Sequence, residues 1–112
     1  MKKFSILILL MLCPLASFAK GPNCYSWPMN MTLAWMKNEN IVDIRKLDES
    51  KTKITQLVSE EIKKGVYTQI YNFVFYDTHG NSYQVITKSQ ASYEECSISD
   101  VNKYLISKSQ VH

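Results

Sequence analysis

Eleven consecutive residues, Val66 to Tyr76, contain neither glycine nor proline and are dominated by Tyr, Ile, Val and Phe. Such β-branched and aromatic side chains fit a pleated, half-buried surface, so this run is the strongest strand in the chain. Strand side chains alternate faces, which puts Tyr67, Tyr71, Phe73 and Phe75 on one face and Tyr76 on the other. A strand this apolar needs neighbours and a cover, and the flanking sequence supplies both. Asp77-Thr78-His79-Gly80-Asn81 reads as a hairpin loop and Ser82 to Thr87 as the returning strand. Upstream, Lys51 to Lys64 fits a helix through Ile54, Leu57, Val58 and Ile62, and fits a strand through Thr52, Ile54, Gln56 and Val58. The strand is preferred because Lys63-Lys64-Gly65 makes a tight turn straight into Val66. Asp100 to Ile106 is a candidate last strand, and Ile41 to Lys46 alternates well enough to be a short first one.

Ahead of these strands, Met29, Thr32, Leu33 and Met36 recur at helical spacing, with Trp35 widening the apolar face. Pro28 suits the first turn, where a missing N–H costs nothing, and the asparagines at 38 and 40 suit the C-terminal end. The expectation is an α+β domain: an N-terminal helix packed on a four- to five-stranded antiparallel β-meander. One helix covers one sheet face, so the other is expected to be more polar or to meet a partner.

The first residues carry an export pattern. Lys2 and Lys3 precede an apolar run from Phe4 to about Leu15, broken only by Ser5, and Ser17-Phe18-Ala19 ends it with small residues at the two positions a signal peptidase reads. Residues 1–19 are therefore read as a cleavable signal peptide and residues 20–112 as a single domain. The run is shorter than the roughly 20 residues of a comfortable span, so no stable membrane insertion is expected. Cys13 follows Leu12, whereas lipid attachment favours a small residue before the cysteine. With the signal go two of the 13 basic residues, leaving 11 against 10 acidic ones. No basic stripe interleaved with aromatics appears, which argues against nucleic acid. Two cysteines remain, Cys24 and Cys96, and in an oxidising compartment such a pair is most simply one disulfide. It would tie the segment before the helix to the loop before the last strand. Localisation is read as periplasmic or secreted.

Chemistry-bearing constellations are sparse. His79 sits in the glycine-containing turn and His112 ends the chain, neither at a metal-ligand spacing. A disulfide-bonded cysteine has no thiolate, and nothing marks a nucleophile for a triad around His79. Glu60-Glu61 and Glu94-Glu95 are paired acids, but neighbours on a strand point to opposite faces, so Glu60 and Glu61 do not converge on one substrate. No enzymatic activity and no cofactor or metal is expected. The candidate partner-binding residues are Glu60, Glu61, Tyr76, Tyr93, Glu94 and Glu95, a tyrosine-rich, acid-rimmed set of the kind interfaces favour.

The layout, a signal followed by a disulfide-tied α+β domain, is similar to that of periplasmic immunity and inhibitor proteins, which plug the active site of a secreted toxin or wall-degrading enzyme. That resemblance implies a protein partner, a toxin or hydrolase, and carries no residue role with it. The alternative readings are an envelope module that binds a small ligand on the uncovered sheet face, and a homodimer formed through that face or an edge strand.

Overall fold

The computed structural model describes residues 21–110. The signal peptide read at residues 1–19, Cys13 within it and His112 lie outside them. Among the described residues, one helix, α1 (Ser26–Asn38), precedes two short 3-10 turns (Ile44–Lys46 and Glu49–Lys51) and four strands, β1 (Lys53–Lys63), β2 (Val66–Tyr76), β3 (Ser82–Ala91) and β4 (Asn102–Ser109). The strands form one antiparallel sheet in the order β1-β2-β3-β4.

The helix buries Pro28, Thr32 and Met36 against the sheet, a stripe repeating every four residues. Its N-cap, Tyr25, makes no side-chain cap, so Pro28 in the first turn and the tether at Cys24 fix where it starts. The Thr32 hydroxyl donates to the Pro28 carbonyl at 2.7 Å, which satisfies a buried polar atom within the helix itself. At the other end Ile41 N donates to Met36 O (2.9 Å) and Asn40 N to Lys37 O (3.2 Å), closing a Schellman motif around Asn40 at φ 56°. Asparagine tolerates that left-handed conformation because its short polar side chain bonds locally.

The covered face of the sheet is the aromatic one. Tyr71, Phe73 and Phe75 are buried with successive ring centroids 5.8 Å apart, and lie opposite Thr87, Val85 and Tyr83 of β3. Met36 completes this core, with Tyr25, Met29, Leu33, Trp35, Ile41, Val42 and Leu47 packed at its margin. A polar cluster continues the same face. The Tyr71 hydroxyl accepts from Cys24 N (3.2 Å) and Gln56 Nε2 (3.1 Å) and donates to Gln69 Oε1 (3.1 Å), while Gln69 Nε2 donates to Pro22 O (2.7 Å) and Ser59 Oγ (3.1 Å). These bonds pin the segment before the helix onto β1 and β2. Gly21, at φ 81°, lies so close that an added Cβ would sit 2.7 Å from Ser59 Oγ and 2.9 Å from the Tyr67 ring.

One buried oxygen is unmatched: Thr87 Oγ1 has no hydrogen-bond partner among the described residues. Leaving a buried hydroxyl unpaired costs about 1–3 kcal/mol. Thr87→Val, which keeps the shape, is expected to raise the unfolding free energy by about 1 kcal/mol in urea titration. A loss of stability would mean that the hydroxyl has a buried partner.

The uncovered face is a chequerboard. Ile70 lies opposite Lys88, Asn72 opposite Ile86 and Val74 opposite Gln84, and Gln84 Nε2 donates to Asn72 Oδ1 at 2.8 Å. Between β2 and β3 each apolar side chain thus faces a polar one, whereas on the outer strands Val58 lies opposite Ile70 and Tyr104 opposite Ile86.

Two features depart from the sequence reading. Ile41 to Lys46 is not a strand: Asp43 accepts from Arg45 N and Asp48 from Ser50 N, and each carboxylate caps a 3-10 turn. Aspartate competes in this way with strand ladders, so the sheet has four strands. The segment still abuts the sheet's end, where Leu47 bridges Asp77 and Thr78 N donates to Lys46 O. The later strands also differ in extent: β3 runs on past Thr87 to Ala91, because the small residues Ser89 and Ala91 are buried opposite Gln69 and Tyr67, and β4 runs from Asn102 rather than Asp100 and on to Ser109, which pairs with Ser82.

Candidate functional site

Five of the six candidate contact residues gather at one end of the sheet, where the β1–β2 turn lies beside the β3–β4 loop. The turn at Lys64-Gly65, with Gly65 at φ 78°, is closed by Glu61, whose Oε2 accepts from Gly65 N at 3.0 Å. Glu61 is opposite Tyr67 and Glu60 opposite Thr68, so the two acids lie on opposite faces, as strand alternation requires. Tyr67 is opposite Ala91 on its other side. Its ring meets that of Tyr93 edge to face, centroids 5.8 Å apart at 86°. Burial, then the Glu61 charge and the Tyr93 hydroxyl, push the Tyr67 hydroxyl above the ordinary tyrosine range.

Tyr93 is 69 % exposed, yet the loop that carries it is fixed from several directions. Ser92 N donates to Glu95 O (2.8 Å) and Glu95 N to Ser92 Oγ (3.0 Å), forming a closed turn around Tyr93 and Glu94. Glu95 Oε1 accepts from Ser97 Oγ (2.7 Å) and Ser97 N (3.2 Å), which holds its carboxyl below the usual range. Cys96 is bonded to Cys24, with Cα atoms 5.3 Å apart. Beyond it, Ser99 Oγ accepts from Gln90 N at 2.8 Å and Ser99 O from Trp27 Nε1 at 3.5 Å. A shallow groove of about 470 Å³ runs between loop and turn, lined by Lys64, Gly65, Val66, Ser92, Tyr93, Glu94 and Ile98.

This geometry divides the six candidates by role. Glu61 and Glu95 spend their carboxylates on local turns, whereas Tyr93 and Glu94 are displayed to solvent. Glu60 is displayed on the opposite face. Tyr76 is not brought to this end: it closes β2 about 30 Å away by strand rise, with Lys53 Nζ 5.8 Å from its ring centroid. Of the supporting residues, Ser92 and Ser97 were not singled out by the sequence, and Tyr67 was placed only on the aromatic face of its strand. The Ser92…Glu95…Ser97 spacing was the available hint, since serine hydroxyls readily close such turns.

The far end of the sheet holds a second polar arrangement. Asp77 is buried, 5 % exposed. Its Oδ1 accepts from His79 N and Asn81 N, both at 2.9 Å, and its Oδ2 from Asn81 Nδ2 at 2.7 Å. Burial pushes the Asp77 carboxyl up, but the side chain of Asn81 and the amides of Asn81 and His79 outweigh it and hold the group below the ordinary aspartate range. Burial, then the Asp77 charge, push the Tyr83 hydroxyl up. A cleft of about 800 Å³ lies alongside, with Lys37, Arg45, Lys46 and His79 among its walls. Because the folded carboxyl titrates below its unfolded value, its stabilisation is full above about pH 4 and fades as pH falls through the lower folded value. The ¹³Cγ shift of Asp77 is expected to titrate with a midpoint below about 3.9. A midpoint above that would contradict the hydrogen-bond geometry.

Among the described residues, no group of three or more His, Cys, Asp or Glu is placed to hold a metal ion, and no helix is long and apolar enough to cross a membrane. The described residues thus form a disulfide-tied α+β domain of one helix on a four-stranded antiparallel meander, with a tyrosine displayed on a braced loop. Comparison with family models, curated proteins and solved structures returned no match.

Proposed function

We propose that this chain is an exported protein-binding protein of the immunity or inhibitor kind, which neutralises a toxic or wall-degrading enzyme by seating its Tyr93 loop in that enzyme's active-site cleft. The observation that carries the reading is the contrast at Tyr93: a large aromatic side chain is mostly exposed while its ring is braced by Tyr67 and its loop by the Cys24–Cys96 bond. Interfaces draw most of their binding energy from a few aromatic anchors. An anchor held rigid before binding avoids the ordering cost of about 0.5–1.5 kcal/mol per immobilised side chain. Glu94 beside it supplies charge suited to a cationic cleft. Export rests on the leader read at residues 1–19, and the disulfide is compatible with an oxidising, extracytoplasmic compartment.

The test is to capture envelope and secreted proteins on oxidised residues 20–112 and assay the retained enzyme. Loss of its activity at one equivalent of the domain is the expected result. An enzyme that stays active when saturated, or no retained enzyme at all, overturns the reading. A second reading, a small-ligand module, draws support from the cleft beside Asp77, whose Lys37 and Lys46 suit an anionic molecule while Arg45 is paired with Asp43 at 3.0 Å. A saturable change in Trp27 or Trp35 fluorescence on titrating small anions would favour it.

A further inference from the structure

We propose that β1 is a self-recognition edge: two copies of the chain pair antiparallel through it, with Lys53 of each opposite Glu60 of the other, to make one continuous eight-stranded sheet. The inference goes beyond the protein-binding reading and rests on residues other than the Tyr93 loop. β1 is an outer strand of the sheet, so one side of its backbone has no strand neighbour among the described residues. An edge of eleven residues is a template for another chain. Its apolar side chains are left open, with Leu57 50 % and Ile62 48 % exposed.

β1 is irregular twice, at Leu57 and at Ile62, and the first of these bulges is what makes the edge self-complementary. Lys53 and Thr55 are opposite Val74 and Asn72 of β2 before it, and Val58 and Glu60 are opposite Ile70 and Thr68 after it. β2 alternates without interruption, so Lys53, Thr55, Val58 and Glu60 all lie on the uncovered face. The position of the Lys53 ammonium near the Tyr76 ring agrees with that placement. In an unbulged strand, residues 53 and 60 would fall on opposite faces. With the bulge, the four positions are symmetric about a point between Gln56 and Leu57.

A two-fold axis through that point, normal to the sheet, sets Lys53 opposite Glu60 and Thr55 opposite Val58 of the second copy, and the reverse. The inward or outward direction of backbone N–H and C=O alternates in step with the faces. The same axis therefore presents outward amides and carbonyls to one another. Sliding the pair by one face-preserving step places Lys53 opposite Val58, or Thr55 opposite Glu60, and loses both ion pairs. Of the antiparallel registers that overlap most of the strand, this one alone gains the opposite-charge pair, and it gains it twice, as an isologous interface must; Lys63, on the same face opposite Val66, meets Glu60 only in a register that pairs the last few residues of β1. This charge complementarity of β1 with itself is why the occupant is a second copy rather than an unrelated strand.

Sedimentation velocity of oxidised residues 20–112, from low micromolar to near-millimolar concentration, tests the proposal. The wild type is expected to show a concentration-dependent dimer. Lys53→Glu and Glu60→Lys each set like charges opposite one another twice and should weaken that dimer by about tenfold or more, while the double variant K53E/E60K restores it. Both side chains are exposed, and an unchanged circular dichroism melting profile verifies that each variant is folded. A wild type that stays monomeric throughout overturns the proposal, as does a folded single variant that dimerises as tightly as the wild type. A folded double variant that stays dissociated overturns it too.

Discussion

Phe73→Ala is expected to lower the unfolding free energy by about 3–5 kcal/mol, the range for truncating a fully buried Phe. Phe73 is fully buried at the centre of the covered sheet face. Its ring stacks between those of Tyr71 and Phe75, it lies opposite Val85 of β3, and it belongs to the same core as Met36 of α1. Removing the ring leaves a cavity walled by side chains that are themselves fixed by the sheet register, so little collapse is available to offset the loss. For a domain whose whole stability is about 5–15 kcal/mol, this one substitution removes a large fraction. Urea unfolding followed by circular dichroism measures it, with Phe73→Leu as a milder companion. A cost below about 1 kcal/mol for the alanine variant would mean that the helix does not cover this face.

The second large effect is at the disulfide. Cys24 and Cys96 are 72 residues apart, and loop-entropy reasoning credits closure of such a loop with about 4 kcal/mol, within the 2–5 kcal/mol typical of native disulfides in small domains. Two irregular segments also depend on the bond, the chain before α1 and the loop that carries Tyr93. The paired Cys24→Ser and Cys96→Ser variant is expected to lose about 2–5 kcal/mol of stability. Hydrogen exchange should rise first over residues 21–25 and 92–101, with the β2–β3 ladder opening last, because local stability follows burial and ladder bonding. Uniform loosening of the sheet, with the Tyr93 loop no more labile than before, would contradict the bracing role given to the bond.

Much of the fold was legible because the decisive signals are local. The period-two aromatic run at 66–76 defines β2, and Asp77 to Asn81 defines its hairpin. With Cys13 read as part of the leader, Cys24 and Cys96 left one disulfide to draw, and the structure contains it. Where local signals balanced, partners decided: residues 51–64 fit either periodicity, and pairing with β2 makes 53–63 of them a strand, while Lys51 closes a 3-10 turn. Ile41 to Lys46 misled because alternation alone does not weigh Asp43 and Asp48, whose carboxylates cap turns. The end of β3 was hidden by Lys88, Ser89 and Gln90, polar residues that still keep the ladder going.

The candidate site was legible only in part. The opposite facing of Glu60 and Glu61 follows from strand alternation alone. That Tyr93 would rest on Tyr67, 26 positions earlier, depends on the antiparallel return of β3 and on the loop closed by Ser92 and Glu95. Composition placed Tyr76 in the same set because it carries no measure of distance along a strand. The bulge that equalises the faces of Lys53 and Glu60 leaves no mark in the sequence, since it is a property of the register with β2.

The central claim is that the braced Tyr93 loop is the contact surface. Its most direct test is a matched capture from envelope and secreted fractions with two oxidised baits, the wild-type domain and Tyr93→Ala, each shown to be folded by circular dichroism. The expected result is one enzyme retained in stoichiometric amount by the wild type and lost from the Tyr93→Ala bait. Equal retention by both baits would place the contact surface elsewhere on the domain and contradict the claim.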